Sequence, residues 1–288
     1  MTQLSGALHL RAKRVGLLDT DILCFQASSA AQTAINWGND WWTYHADFNT
    51  VRSIFEGKID YIKKACQLDE VIMCLTDVEN FRKSIYPEYK SNRAEVQKPC
   101  AYAGIVEYVK ANFETFQRPT LEADDVMGIL ATWPRYKPGY EKVIVSEDKD
   151  MRTIGDVLLF NPNKDLEPGY NTEEDAELYF MQQTLTGDVT DGYPGCPGVG
   201  EGLALEMLKG GLKFEPYEHT FKSGLRKGTT ETRWKKEPSD SLWTTVVSCY
   251  EKAGLSEEVA LIQARCARIL RACDYDFKNK EVKLWQYF

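Results

Sequence analysis

Nine carboxylates carry most of the chemistry this sequence could perform. Asp19, Asp77 and Asp148 each fall at or just past the end of a short apolar run of the kind that forms a buried strand. Asp150 follows in Ser146-Glu147-Asp148-Lys149-Asp150. Glu122, Asp124 and Asp125 crowd the opening of a helix in Leu121-Glu122-Ala123-Asp124-Asp125, and Asp188 and Asp191 sit in Gly187-Asp188-Val189-Thr190-Asp191-Gly192. A single Asp in such places is ordinarily a turn residue, and acids at a helix start ordinarily complement its dipole. Three acids in four positions exceed what capping needs, and three strands that each deliver an acid to one sheet edge mark a ligand site. By helical spacing Glu122 and Asp125 share a face, while Asp124 points elsewhere.

If these groups converge, they cannot all stay ionised without counter-cations. Oxygen-only ligands favour Mg²⁺ or Mn²⁺. Two such ions, about 4 Å apart, can activate a water and stabilise the leaving oxygen of a phosphodiester. Other chemistries find little material. The three histidines (His9, His45, His219) are far apart and no two of the eight cysteines form a Cys-x-x-Cys pair, which disfavours zinc, a disulfide framework and a Ser-His-Asp triad. The Asp-Lys-Asp run lacks the Gly and Glu of an EF-hand loop.

Cations are concentrated in Phe81-Arg82-Lys83-Ser84-Ile85-Tyr86-Pro87-Glu88-Tyr89-Lys90-Ser91-Asn92-Arg93, where Arg82, Lys83, Lys90 and Arg93 alternate with aromatics. Such a surface suits phosphates and stacked bases; a solvated, salt-bridged loop is the alternative. Gly198 and Gly200 belong to a Gly-rich turn before a helix, which offers backbone N–H groups to a phosphate or simply connects two helices. The net charge of −8 does not exclude nucleic acid, because without the nine acids the chain is near parity with its 35 Lys and Arg.

The elements that must position these groups are strands near 15–18, 71–75, 142–145 and 157–160, alternating with helices near 51–62, 102–116 and 122–133. That alternation predicts an α/β fold with a mostly parallel central sheet flanked by helices. After about residue 186 come Gly/Pro turns, helices near 200–209, 241–254 and 257–272, and a short strand near 282–285. Residues 211–240 are polar and basic and read as a long loop or mobile insert. No apolar run approaches the roughly 20 residues of a membrane span, and Met1 to Arg14 has no secretory signature; the expectation is a cytoplasmic protein with no membrane association.

The order of these motifs resembles the flap endonuclease and 5′-nuclease superfamily, and within it the 5′-to-3′ exonucleases of short-tailed bacteriophages. The resemblance runs from about Val15 to Trp285. It rests on Phe25-Gln26-Ala27, the segment from Phe81 to Arg93, Glu122-Ala123-Asp124-Asp125-Val126-Met127-Gly128, Asp148-Lys149-Asp150, Gly187 to Tyr193, and Ala267-Arg268-Ile269-Leu270. It implies a PIN-like nuclease core over 1–186 with a helical arch over about 80–116. A C-terminal helix-turn-helix-like region over 187–288 would pack with that core as one compact unit. It implies metal ligation by Asp19, Asp77, Glu122, Asp124, Asp125, Asp148, Asp150, Asp188 and Asp191. Lys90 and Arg93 would contact the scissile phosphate, with Asp124 and Asp125 also catalytic. DNA would be bound by Arg82, Lys83, Lys90, Arg93, Gly198 and Gly200, with K⁺ a further ion in the motif over 192–209. There the family commonly has Lys or Arg, and this chain has Glu201 and Gly202; the basic insert (Lys222, Arg226, Lys227, Arg233, Lys235, Lys236) is the candidate replacement. The implied activity is a two-metal 5′-to-3′ exonuclease on double-stranded DNA with a free 5′ end, and on RNA in RNA–DNA hybrids. Its implied biology is primer removal and DNA turnover in phage replication, inside the host cytoplasm. A structure-selective flap endonuclease would use the same residues. A non-catalytic DNA-binding clamp is the remote alternative, since such relatives lose site acids. No protein partner is implied.

Overall fold

The computed structural model describes residues 11–93 and 97–287. The stretch from Met1 to Leu10 and the side chain of Arg93 lie outside the described residues, so the reading of the N-terminus and the phosphate contact of Arg93 are not addressed by it.

The chain opens with β1 (Lys13–Asp19) and α1 (Thr20–Ala31), then an exposed hairpin of β2 (Thr33–Asn36) and β3 (Trp42–His45). There follow α2 (Phe48–Ala65), β4 (Glu70–Leu75), the short α3 (Arg82–Ile85), α4 (Tyr102–Asn112), β5 (Thr115–Gln117) and α5 (Ala123–Thr132). Next come β6 (Tyr140–Val145), β7 (Val157–Phe160), β8 (Gly169–Asn171) and α6 (Glu173–Thr186). Six strands form one sheet in the order β5-β4-β1-β6-β7-β8, parallel except where β8 pairs with β7. The expected α/β architecture is therefore present.

The apolar strands are buried on both faces. Val15 and Leu17 of β1, Ile72 and Ile144 pack against α5 residues Val126, Met127 and Leu130. Leu18, Met73, Val143 and Val145 pack on the other side against Phe55, Ile59 and Ile62 of α2 and Ile105 and Val109 of α4. Register then fixes the site. Asp19 lies opposite Cys74, and Leu18 lies opposite Val145. The residues just past β4 and β6, Asp77 and Ser146 to Asp148, thus leave the sheet at the level of Asp19. This is also where chain order reverses about β1, the position where open α/β sheets bind ligands.

The C-terminal region contains α7 (Glu201–Lys209), β9 (Leu212–Thr220), β10 (Thr230–Pro238), α8 (Leu242–Lys252), α9 (Glu257–Ala267) and a small pair, β11 (Tyr275–Asp276) with β12 (Glu281–Val282). Phe180, Met181 and Leu185 of α6 share a core with Met207, Trp243, Tyr250 and Ala264, so α6 packs with the helices that follow it. Residues 211–240 are not a loop. β9 and β10 form a nine-pair antiparallel hairpin whose base is anchored by buried Phe214, with Leu212 and Trp234 beside it. Most of its length is solvent-exposed on both faces, so the period-two signal of a half-buried strand is missing from the sequence. Among the described residues no helix is long and apolar enough to cross a membrane.

Candidate active site

Asp19 ends β1 and caps α1, accepting from Ile22 N at 3.4 Å and from Ser146 Oγ at 3.0 Å. Ser146 Oγ accepts in turn from Asp148 N, and Asp148 Oδ1 from Asp150 N at 2.8 Å. The end of β1 and the turn after β6 are thereby tied together. Asp77 accepts from Thr120 N at 2.9 Å, which orients the entry to α5. Asp19, Asp77, Glu122, Asp124 and Asp148 all line one cleft of about 1140 Å³, whose wall includes Lys90, Lys149 and the α4 residues Tyr102, Val106 and Lys110.

These acids feel one another strongly. Burial, then the charge of Asp21, pushes Asp19 from 3.8 up to about 7. Asp124 is raised well above the usual carboxylate range by burial and by the charges of Asp19 and Asp148. Asp148 is raised chiefly by burial, with Asp191 and Asp188 adding to it. Asp150 rises to about 7 through burial and then Asp148 and Asp188. Asp148 therefore stands between two groups of acids, one with Asp19 and Asp124 and one with Asp150, Asp188 and Asp191. Desolvated like charges of this kind hold protons at neutral pH unless cations replace them. Asp77 behaves differently: backbone donors, first that of Thr120, lower its pKa. Among the described residues no three His, Cys, Asp or Glu side chains already form a metal-ligand group; the acids share a cleft and a field without yet closing on one point.

Two expectations are corrected here. Arg82 is fully buried, not a phosphate contact. Its guanidinium donates to both oxygens of Asp125 at 2.7 Å, to Glu122 Oε2 at 3.2 Å, and to the carbonyls of Cys266 and Arg268. All its donor directions face protein, leaving nothing for DNA. Asp125 is correspondingly turned away from the cleft. It is fully buried, and besides Arg82 it accepts from Leu270 N at 3.1 Å, so its oxygens are committed to pinning the chain after α9 beneath α5. Glu122 and Asp125 do share a partner in Arg82, as their spacing predicts, but Glu122 also lines the cleft, where Asp124 joins it and Asp125 does not.

Lys90 Nζ lies 2.5 Å from Glu122 Oε1 and 3.4 Å from Asp191 Oδ2. Burial works against its charge, but Glu122, Asp191 and Asp124 outweigh that and raise its pKa. For Glu122 burial is likewise overcome, by Lys90 and Arg82, and its pKa falls to about 2. Asp191 comes from the loop after α6, which docks on the 88–92 segment through Lys90 N to Asp191 O at 2.8 Å. Gly192, at φ +76, makes this approach possible, since a Cβ there would sit 3.3 Å from Glu88 O. Asp188 accepts from Lys149 Nζ at 2.7 Å, and that bond, against burial, lowers its pKa.

A family model described as the 5′-3′ exonuclease, N-terminal resolvase-like domain, matches residues 14–177. The chain is also similar to the exonuclease of Escherichia phage T7, with 37% identity over 285 residues covering 95% of this chain and 94% of that one. The chain belongs to the 5′-3′ exonuclease family. It is a 5′-to-3′ exonuclease of the phage type. The exodeoxyribonuclease of Enterobacteria phage T3 is similar to the same extent, 37% identical over 284 residues covering 95% of this chain and 93% of that one. In fold, the exonuclease resembles the phage T5 5′-exonuclease described with divalent zinc ions bound. That match has a TM-score of 0.59 and 16% identity and covers 88% of this chain and 89% of that one.

The remaining predicted residues of the exonuclease lie on its surface. Lys83 is exposed beside buried Arg82, and Gly198 (φ +77) and Gly200 are exposed in the turn that opens α7. Two groups escaped the sequence reading. Asp21 lines the cleft, accepts from Tyr102 Oη and Thr76 N at 2.8 Å each, and helps raise Asp19; its position two residues after Asp19 was the available signal. Tyr89, buried between the start of α5 and the loop after α6, donates its hydroxyl toward Glu122 and Asp191.

Proposed function

We propose that this exonuclease is metal-dependent and removes nucleotides from the 5′ end of double-stranded DNA, with the cleft acids holding two Mg²⁺ or Mn²⁺ ions. The observation that carries this reading is the single cleft lined by Asp19, Asp77, Glu122, Asp124 and Asp148, in which burial and like charge raise Asp19, Asp124 and Asp148. The donor set fits hard cations, because every candidate ligand is an oxygen. Among the described residues, buried Gln183 Oε1 and Tyr193 Oη also have no hydrogen-bond partner. Gln183 donates through its other amide atom to Asp150, and Tyr193 feels Asp150 and Asp188. Both orphan oxygens therefore border the second acid group, where the hydration of a bound cation would satisfy them.

In this scheme Asp19, Asp124 and Asp148 hold one ion in the cleft, and Asp150, Asp188 and Asp191, which lie behind its lining, hold the other, with Glu122 and Asp77 at their edge. Bound there, the ions supply positive charge for attack on phosphorus and for the departing oxygen. Lys90, between Glu122 and Asp191, is the lysine of the cleft lining that lies against these acids, where it offsets charge developing on the non-bridging oxygens of a phosphate. Asp125 and Arg82 touch no substrate in this scheme and hold the start of α5 in place. DNA binding extends to Lys83, Arg93 and the Gly198–Gly200 turn, whose exposed backbone at the start of α7 suits a backbone phosphate. In support, a phage T5 flap endonuclease with a TM-score of 0.53 and 19% identity, covering 69% of this chain and 75% of that one, is described in a complex with DNA and metal ions. RNA in RNA–DNA hybrids is a second substrate, and the host cytoplasm the site of action.

The test is digestion of 5′-labelled blunt and 5′-flapped duplexes with Mg²⁺ and with EDTA. Labelled mononucleotides from the blunt end, abolished by EDTA, are expected. Release of intact flaps with little attack on blunt ends would make the enzyme a flap endonuclease, and undiminished digestion in EDTA would overturn metal dependence.

A further inference from the structure

We infer that the hydroxyl of Tyr89 is a positioning group that clasps Glu122, at the edge of the first acid group, to Asp191 of the second, holding the two at working distance while Lys90 serves the substrate. The inference rests on the metal reading proposed above and adds a residue to it.

Tyr89 Oη lies 3.1 Å from Glu122 Oε2 and 2.8 Å from Asp191 Oδ2. Glu122 belongs to the start of α5 over the central sheet, and Asp191 to the loop between α6 and α7. A phenol has one proton to donate, so the two carboxylates share it. The ring cannot swing out of this position. It is 2% exposed, it packs in the C-terminal core, and it stacks on Tyr193 with centroids 6.4 Å apart. The Arg82 guanidinium sits 5.6 Å and Lys90 Nζ 5.1 Å from its centroid.

Two carboxylates brought to one donor in a desolvated site repel whenever both are charged. Among the described residues the Tyr89 hydroxyl and Lys90 Nζ both bridge the pair, whereas of the two acids Arg82 donates to Glu122 alone, and the two bridges differ in freedom. Lys90 has a flexible stem, keeps 15% of its side chain exposed and lines the cleft, so a phosphate can draw it away. Tyr89 is walled in. When Lys90 turns to the substrate, the Tyr89 hydroxyl remains between Glu122 and Asp191. Asp191, of the second group, then keeps its distance from Glu122, beside Asp124 in the cleft. A two-ion reaction depends on that spacing.

Tyr89→Phe keeps the ring and removes the clasp. The experiment titrates wild type and Tyr89→Phe with Mn²⁺ by calorimetry without DNA, then measures kcat and KM on a 5′-labelled duplex, with Tm recorded for both proteins as a check on folding. The expected result is an unchanged tighter Mn²⁺ event, a weaker event loosened about tenfold, and kcat down ten- to hundredfold with KM within about twofold. Saturating Mn²⁺ is expected to recover part of kcat. Unchanged Mn²⁺ binding and kcat in Tyr89→Phe, beside a normal wild-type titration, would overturn this inference alone. So would equal weakening of both events with a large fall in Tm, which is general loosening. Failure of the wild type to bind Mn²⁺ would overturn the metal reading, and this inference with it.

Discussion

Replacing Asp19 with Asn is expected to stabilise the metal-free protein while abolishing cleavage. In the folded chain the Asp19 carboxyl is raised from 3.8 to about 7, first by burial and then by Asp21. At about 1.36 kcal/mol per decade, keeping it ionised at pH 8 costs the folded state on the order of 4 kcal/mol. Because the folded pKa lies above the unfolded one, the native state binds the extra proton between these limits. Metal-free stability therefore falls as pH rises from about 4 to about 7 and levels off above. Asn carries no charge at any pH, so it removes this penalty. It also exchanges one acceptor oxygen for an amide, so one of the bonds from Ser146 Oγ and Ile22 N is lost, at about 1 kcal/mol. The net gain at pH 8 is about 2–3 kcal/mol, or roughly 3–5 °C in Tm for a chain of this size. The assay is thermal unfolding of both EDTA-treated proteins from pH 4.5 to 8.5. The two Tm curves should meet near the acid end and diverge toward pH 8, and Mn²⁺ should raise the wild type far more than the variant. Parallel curves, or a less stable variant at pH 8, would refute the reasoning that strain among the acids is relieved by metal.

Arg82→Met should destabilise the fold by about 3–5 kcal/mol, since it leaves Asp125 buried without its partner; chemical denaturation measures it, and a loss confined to DNA affinity would restore Arg82 as a phosphate contact. Asp124→Asn should cut at least a hundredfold more slowly with DNA affinity retained, whereas Asp125→Asn should chiefly lower Tm; gel-shift, cleavage and melting on the two variants separate the roles. Protons compete for the metal at Asp19 and Asp150, both raised to about 7. Apparent Mn²⁺ affinity should accordingly rise with pH up to about 7 and then flatten, and calorimetry in buffers of different ionisation enthalpy should detect proton release on binding.

The sheet and its acidic edge were legible because each apolar run ended in its acid. Val71 to Leu75 is buried on both faces from Ile72 onward, so no polar residue interrupts it before Thr76 and Asp77. The error at α5 had a local cause. Glu122 is the N-cap, with extended backbone at φ −79 and ψ 161, so helical spacing alone does not describe where its side chain points. Arg82 was misread for a different reason: its partners Glu122 and Asp125 lie 40 and 43 residues away, and nothing in Phe81-Arg82-Lys83 distinguishes a buried guanidinium from an exposed one. Tyr89 was hidden for the same reason, since its meaning depends on Glu122 and Asp191 meeting across two parts of the chain. The β9–β10 hairpin was missed because exposure on both faces erases alternation.

The central claim is that acids distant in sequence hold divalent ions in one cleft. Anomalous diffraction at the manganese edge, from crystals grown with Mn²⁺, tests it most directly. The account predicts one peak among Asp19, Asp124 and Asp148 and a second beside Asp150, Asp188 and Asp191, with Asp125 still paired to Arg82. A cleft without manganese at millimolar Mn²⁺, or ions bound only elsewhere on the surface, would contradict it.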